Sequence, residues 1–396
     1  MDDLLASYDA FQFQGVYSDD LEFDLPETSE PVYILGKAYS AIYDLEEIKS
    51  DVRTRLWFTY RKSFPPIGGT GPTLDTGWGC MLRCGQMMFA QALTMQLLGR
   101  DWRWTASGKR NEAYNSILSR FLDHKRACYS VHLISLMGES EGKKIGEWFG
   151  PNTVAQVMKK LSNYDEISKL SVHIAMDNLL IIEEVLRTSK DPATGFWTPL
   201  LLFIPLRLGL TEMNPAYIRA LKSCLSLKET AGIVGGKPNH AYYFIGFVEN
   251  QLLYLDPHKT QTAVHMNFTS QMEIKDIVDA TQGIADDSYH CNTVHKMDFS
   301  LIDPSIALGF YCHTEADFDN LCRSLRLYVL DKQPMLFELC EKSPTTWDVP
   351  AKSRTTLGQS DSDAPLTRNS KSRQQQTGTS CNNGESDSDS DYELLG

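Results

Sequence analysis

The pattern of apolar and polar positions divides the chain into three stretches. Residues 1–30 scatter aromatics among acids with no sustained period, which predicts an acidic, disordered head. Residues 31–350 are patterned as a globular body. Residues 351–396 are rich in Ser, Thr, Gln, Asp and Asn and nearly free of aromatics, which predicts a disordered acidic tail. Within the body, Cys80 to Leu98 carries Leu82, Met88, Phe89, Ala92, Leu93 and Leu97 at helical spacing, and Gly99 suits the position after the helix. Asn152-Thr153 can cap a helix with Val154, Val157, Met158 and Leu161 on its stripe, and Asp177 can cap one carrying Leu180, Ile181 and Val185. Leu200 to Ile204 predicts a buried strand, and Leu308 to Cys312 a further short one. Ala241 to Val248 and Gln251 to Leu255 predict a hairpin closed at Glu249-Asn250. Glu315 to Leu330 reads as a helix with Phe318, Leu321, Leu325 and Tyr328 on one face. Helices early and a mainly antiparallel sheet later give an α+β class rather than a doubly wound one.

Charge changes this picture in one respect. The 396 residues carry a net charge of −13, which argues against a nucleic-acid binder, since that needs a basic footprint. Nine acids fall in residues 1–30 and five in 385–396, with no Lys or Arg in either, so residues 31–384 stand at +1. The body is nearly neutral and the ends are acidic. The start, Met1-Asp2-Asp3-Leu4-Leu5, lacks the basic region and apolar run of a signal peptide. The most apolar run, Leu200 to Leu206, is broken by Pro205 and falls far short of the roughly 20 residues that span a bilayer. Nine cysteines, an odd number without disulfide-framework spacing, suit free thiols and a cytoplasmic location.

Gly77-Trp78-Gly79-Cys80-Met81-Leu82-Arg83-Cys84 is the stretch richest in candidate chemistry. A thiol at the start of a long helix sits where unpaired N–H groups and the helix dipole stabilise a thiolate. The same helix start offers the Cys80 N–H to a developing oxyanion. On the residues alone Cys80 can equally be a buried packing thiol, since free Cys is among the most buried residue types. A thiolate nucleophile needs a base, and the base an orienter. His258, in Leu255-Asp256-Pro257-His258, follows a predicted strand, and in extended chain the side chains of Asp256 and His258 point to one side. His240 is a rival base without a carboxylate near it in sequence, and reads as a loop or strand-edge residue. Other motifs fail. Gly235-Gly236-Lys237 lacks the first Gly and the Ser/Thr of a phosphate loop, and Gly68 to Pro72 lacks the dinucleotide fingerprint. Cys80 and Cys84 have no partner pair at zinc spacing. No cofactor or metal is expected.

Taken together, Leu56 to Lys62, Ile67 to Pro72, Gly77 to Met87, Gly146 to Val157, Gly235 to Asn239 and Leu255 to His258 closely resemble the autophagin family of autophagy cysteine proteases, over roughly residues 33–345. The resemblance implies a papain-like fold with an additional small α/β subdomain. It assigns Cys80 as nucleophile, His258 as general base and acid, and Asp256 as its orienter, and adds Tyr60 as an oxyanion donor. It also makes Trp148 and the loop Gly235–Asn239, tipped by Pro238, a lid over the cleft. From the residues alone Tyr60 and Trp148 read as core aromatics.

The implied substrate is the ubiquitin-like autophagy modifier, cut after a C-terminal glycine in its precursor and released from phosphatidylethanolamine in its conjugated form. The expected enzyme is a monomer that meets the membrane only through that substrate; the alternative is a non-catalytic protein that binds the modifier. The tail ends in Tyr392-Glu393-Leu394-Leu395, behind Asp387, Asp389 and Asp391. This segment resembles the short motif that docks on the modifier, with Tyr392 and Leu395 filling two pockets; Tyr8-Asp9-Ala10-Phe11 is a weaker version. Cys84, one turn after Cys80, reads as packing on the helix, with a redox role as the other possibility.

Overall fold

The structure is a computed structural model in which residues 25–106, 111–264, 285–331 and 334–342 are described. The chain divides into two units, Met1–Thr345 and Thr346–Gly396, and all the described residues lie in the first. It opens with strands β1 (Pro31–Ile34) and β2 (Lys37–Ser40), helix α1 (Leu45–Thr54) and the two-residue strand β3 (Arg61–Lys62). Helices α2 (Cys80–Leu97), α3 (Glu112–Ser119), α4 (Val131–Met137) and α5 (Pro151–Ser162) follow. Next come β4 (Ser171–Ile174), β5 (Leu179–Ile181), α6 (Ile182–Ser189), β6 (Leu200–Arg207) and α7 (Ile218–Ser226). The remainder is β7 (Thr230–Lys237), β8 (His240–Val248), β9 (Gln251–Leu255), β10 (Gln261–Thr262), β11 (His295–Asp298), β12 (Ser305–Cys312), α8 (Glu315–Ser324) and β13 (Glu338–Cys340).

The main sheet runs β11-β9-β8-β7-β12-β6-β4, with β1 and β2 added beside β8. Its pairings are antiparallel except β4 with β6. That is the α+β class expected from the residue pattern. The central strands are continuous apolar runs because both faces of the sheet are covered. Along β6 the period of two is plain: Leu201 and Phe203 enter one core, while Leu200, Leu202, Ile204 and Leu206 enter the other. The first core receives α2 and α5, and the second receives residues of α6, α7 and α8. The sheet thus separates two hydrophobic layers, one on each face.

Helix α2 is held by packing rather than by caps. Every residue from Cys80 to Thr94 is buried, and Gly79 at its N-cap offers no side-chain bond. Each buried Leu, Met or Phe stabilises by roughly 1.5–3 kcal/mol, and Leu82, Met87, Met88, Phe89 and Leu93 all reach the core. The helix ends at Gly99, with φ +84°. Gly85 lets α2 and α5 approach closely, because a Cβ there would lie 2.4 Å from Val154 Cγ2. That contact matters for the site: Cys80 begins α2, and Trp148 lies just ahead of α5.

Three local expectations are corrected. Helix α5 is not capped by Asn152-Thr153; it starts at Pro151 with Gly150 as N-cap and no side-chain cap bond, proline's fixed φ being suited to the first turn. Asp177 does not cap a helix: Asp177 and Asn178 both have φ near +55°, a left-handed turn that short polar side chains tolerate. After that turn Leu179–Ile181 is a strand, paired in parallel with β13, and the helix begins only at Ile182. The segment from Glu315 is α-helical to Ser324 and then widens into a π-turn over Leu325–Val329. The extra residue per turn rotates Tyr328 off the apolar face, leaving it 56% exposed while Leu325 stays buried.

Candidate active site

Cys80 is the first residue of α2 and is 1% exposed. The approach to it is built on Asp75, whose side chain is fully buried. Asp75 Oδ1 accepts from the Arg61 backbone N–H at 2.6 Å, and Oδ2 accepts from Arg83 Nε at 2.7 Å. Arg83 also pairs with Asp123 at 2.8 Å, so one buried guanidinium ties the loop to the helix. The Gly79 N–H donates to the Asp75 carbonyl at 2.8 Å. A Cβ on Gly79 would stand 2.5 Å from Asp75 Oδ2, so only glycine lets the chain enter the helix over this carboxylate. The Cys80 backbone N–H has no acceptor among the described residues, which leaves it for a ligand. From the other side the indole of Trp148 reaches in, its Nε1 donating to Cys80 Sγ at 3.2 Å.

The second wall begins where β9 ends. Asp256 Oδ1 accepts from both His258 N, at 2.9 Å, and His258 Nδ1, at 2.5 Å. The two side chains meet through a turn at Pro257-His258 and not through extended chain, so their adjacency is that of an Asx turn. Trp57 Nε1 donates to the Asp256 carbonyl at 2.7 Å, and the Tyr60 N–H donates to the Pro257 carbonyl at 2.8 Å. The Tyr60 ring meets the His258 ring edge-on at 5.5 Å. Pro238 sits at an exposed two-residue turn, for Lys237 pairs directly with His240 across β7 and β8. Gly235–Asn239, expected to be a loop, is therefore mostly strand, with Asn239 taking φ +65° at the turn.

A family model for the peptidase C54 catalytic domain matches residues 45–324. The chain belongs to the peptidase C54 family. Relatives agree over most of its length. Cysteine protease ATG4B of Gallus gallus is 46% identical over 394 residues, covering 92% of this chain and 95% of that protein. Cysteine protease ATG4A of Gallus gallus is 47% identical over 355 residues, 83% of this chain and 90% of the relative. ATG4A of Homo sapiens is 45% identical over 359 residues, 84% of this chain and 87% of the relative. The autophagin resemblance and the papain-like fold hold, and the chain is a cysteine protease of the autophagy pathway.

In this C54 peptidase the groups around Cys80 act together. Burial works against the Cys80 thiolate, but hydrogen bonding and charge from His258, helped by Trp148 and Tyr60, outweigh it and lower the thiol's pKa. Burial also works against a charged His258, yet Asp256 and Cys80 push the imidazole up to about 9. Asp256 is held below the usual carboxylate range, with His258 overcoming its burial. Burial, then the neighbouring Cys80, raises the Tyr60 phenol, so it stays protonated and is a donor. His258 Nε2, the ring nitrogen that Asp256 does not hold, is buried, and His258 is the strongest of the groups that lower the Cys80 thiol. The arrangement can hold a thiolate beside an imidazolium and present N–H and O–H donors to an anion.

Some groups were missed and others lie elsewhere. Trp57, Asp75 and Arg83 support the site through contacts that no local pattern announces. His240 and Tyr242 bring their rings to 4.9 and 5.4 Å from that of His258. Cys84 is fully buried, and burial raises its thiol well above the ordinary value, which fits packing. Among the described residues no group of three or more His, Cys, Asp or Glu is placed to hold a metal. None of their helices is long and apolar enough to cross a membrane. Tyr392, Leu395 and the Tyr8 segment lie outside the described residues.

Proposed function

We propose that Cys80 is the nucleophile of a peptidase acting on a ubiquitin-like autophagy modifier, cutting the precursor after its C-terminal glycine and the conjugated form at its amide to phosphatidylethanolamine. The supporting observation is a buried thiol at a helix start whose proton is drawn off by a histidine that a carboxylate orients. The Cys80 thiolate attacks the glycine carbonyl, and the oxyanion is taken by the Cys80 N–H and the Tyr60 hydroxyl. His258 Nε2–H gives its proton to the leaving amine, the C–N bond breaks, and a thioester remains. Water then attacks the thioester with neutral His258 taking its proton, releasing a glycine carboxylate and restoring the thiolate–imidazolium pair. A peptide amine and the ethanolamine amine leave by the same step, so one site serves both bonds.

Trp148 has to move for this to happen. Its Nε1, 3.2 Å from Sγ, fills the space a reacting carbonyl needs at roughly 3–3.5 Å. A cleft closed by this indole and by the Pro238 turn favours glycine, because a side chain before the scissile bond would meet the ring. The protein works as a cytoplasmic monomer, and contact with membrane comes through the substrate. The decisive experiment incubates the wild type and Cys80→Ala with modifier precursors and with casein. Cleavage of precursors but not casein, lost in Cys80→Ala, is the expected result; a variant that still processes precursor at the wild-type rate would sink the assignment.

We further propose that the Tyr392–Leu395 segment docks on the modifier as an added strand, its acids facing a basic rim. Deleting residues 385–396 should weaken modifier binding about tenfold while a short precursor peptide is cut as before. Unchanged affinity would remove this part of the reading.

A further inference from the structure

Three rings box the base. Tyr60 meets His258 at 5.5 Å, Tyr242 at 5.4 Å and His240 at 4.9 Å, the first two edge-on and His240 tilted by 56°. His240 and Tyr242 both come from β8, and their rings stack on each other at 6.3 Å. Tyr242 is backed in turn by Tyr254 of β9 at 4.4 Å, so this side of the box is anchored in the sheet. His240 has a second contact. Its Nδ1 lies 3.2 Å from the carbonyl oxygen of Pro238, the residue at the turn of the β7–β8 hairpin. A carbonyl only accepts, so Nδ1 carries the proton in this contact. One side chain thus touches both the base and the tip of the hairpin that borders the cleft.

Resting on the catalytic roles proposed above, we infer that His240 is a positioning residue with two separable duties: its ring fixes the plane of His258, and its Nδ1–H holds the Pro238 tip down. The first duty acts on the chemical step. An imidazole held at Nδ1 by Asp256 can still turn about that bond, and Nε2 must stay aimed at Cys80 to give and take a proton. A ring packed 4.9 Å away removes that freedom. The second duty acts on substrate entry, since the tip must lift before an extended chain can lie in the cleft.

The charge of His240 bears on both duties. The charged and titratable groups around it are Lys237 on β7, Asp256 and His258 after β9, and Tyr242 on its own strand. Burial, with some help from His258 and Lys237, lowers its pKa from 6.5 against the pull of the Pro238 carbonyl and Asp256, so it is neutral at pH 7. Protonation at acid pH would set two imidazolium rings against each other, and His240, which lacks the carboxylate that anchors His258, would be the one to give way.

Three substitutions separate the duties. His240→Phe keeps a ring and loses the donor; His240→Asn keeps a donor and loses the ring; His240→Ala loses both. Steady-state cleavage of the precursor should show His240→Ala with kcat down about tenfold and KM down about threefold, as less aim and a looser tip require. His240→Phe should restore kcat alone, and His240→Asn should restore KM alone. As pH falls below the ordinary histidine value of 6.5 the wild type should lose kcat when His240 gains its proton, while His240→Phe should show no such loss. Equal losses in all three variants, or wild-type kinetics in His240→Ala, would overturn the inference with Cys80 still the nucleophile. Retained cleavage by Cys80→Ala would instead remove the catalytic reading, and this one with it.

Discussion

Two cysteines one helical turn apart, Cys80 and Cys84, differ in the direction their thiols shift. Cys80 and Cys84 lie on the same helix, are 1% and 0% exposed, and belong to the same core. Burial raises the pKa of both. At Cys84 nothing opposes it, and the nearby Cys80 and Asp256 push the thiol higher still. At Cys80 three polar side chains act on the sulfur, His258 from the loop after β9, Trp148 from the segment ahead of α5 and Tyr60 from the segment ahead of β3, and the shift changes sign. Burial alone makes an inert thiol; what sets Cys80 apart is the convergence of polar groups from three remote parts of the chain. A helix start contributes, but Cys84 is only four residues further in, so the remote partners decide.

The strongest way to break the contrast is to take the carboxylate from the histidine. Asp256→Ala leaves His258 buried with only Cys80 to offset that burial, so the imidazole should fall from about 9, and the Cys80 thiol should rise toward the behaviour of Cys84. Precursor kcat should fall by about 10³-fold or more, on the scale of removing the orienting aspartate from a related triad. A substrate-free readout is the rate at which iodoacetamide alkylates the Cys80 peptide. In the wild type the ion pair should persist up to about pH 9, where His258 loses its proton; in the variant the plateau should vanish. Stability carries the same sign. A histidine whose folded pKa is raised stabilises fully below the unfolded value of about 6.5 and loses that contribution as pH rises through about 9. Unfolding midpoints measured at pH 6 and pH 10 should therefore differ more in the wild type than in Asp256→Ala. An unchanged alkylation profile in the variant would mean that the carboxylate does not support the pair.

The contrast also marks how far the sequence could be read. Elements that depend on local period were legible: the apolar run at Leu200–Ile204, the helix from Cys80 with Gly99 behind it, and the hairpin turning at Glu249-Asn250. Asp256 and His258 were legible as neighbours because they stand two positions apart, although the turn that joins them is not the extended chain the spacing suggested. What could not be read is contact across long separations. Trp57 supports Asp256 from 199 residues away, and β13 pairs with β5 across more than 150 positions, so a strand stood where an isolated segment looked helical. Trp148 looked like a core aromatic. Its indole reaches the sulfur from a segment 68 positions on, beside the close crossing of α2 and α5 at Gly85 and Val154.

The smallest expected effect is at the other member of the pair. If Cys84 is a packing residue, removing its sulfur should be felt by stability and not by chemistry. Cys84→Ala deletes one fully buried group, at a cost of about 1 kcal/mol, on the scale of a buried methylene. Denaturant unfolding should show that loss in the midpoint, while precursor kcat/KM stays within about twofold of the wild type. The thiol's raised pKa adds a second expectation: with almost no thiolate at pH 7.5, the Cys84 peptide should resist iodoacetamide under conditions that consume Cys80. A tenfold loss of kcat/KM with unaltered stability would reverse the distinction, because Cys84 would then be tuning the nucleophile one turn above it. Cys84 shares with Cys80 the helix, the burial and the core, and differs from it in its partners.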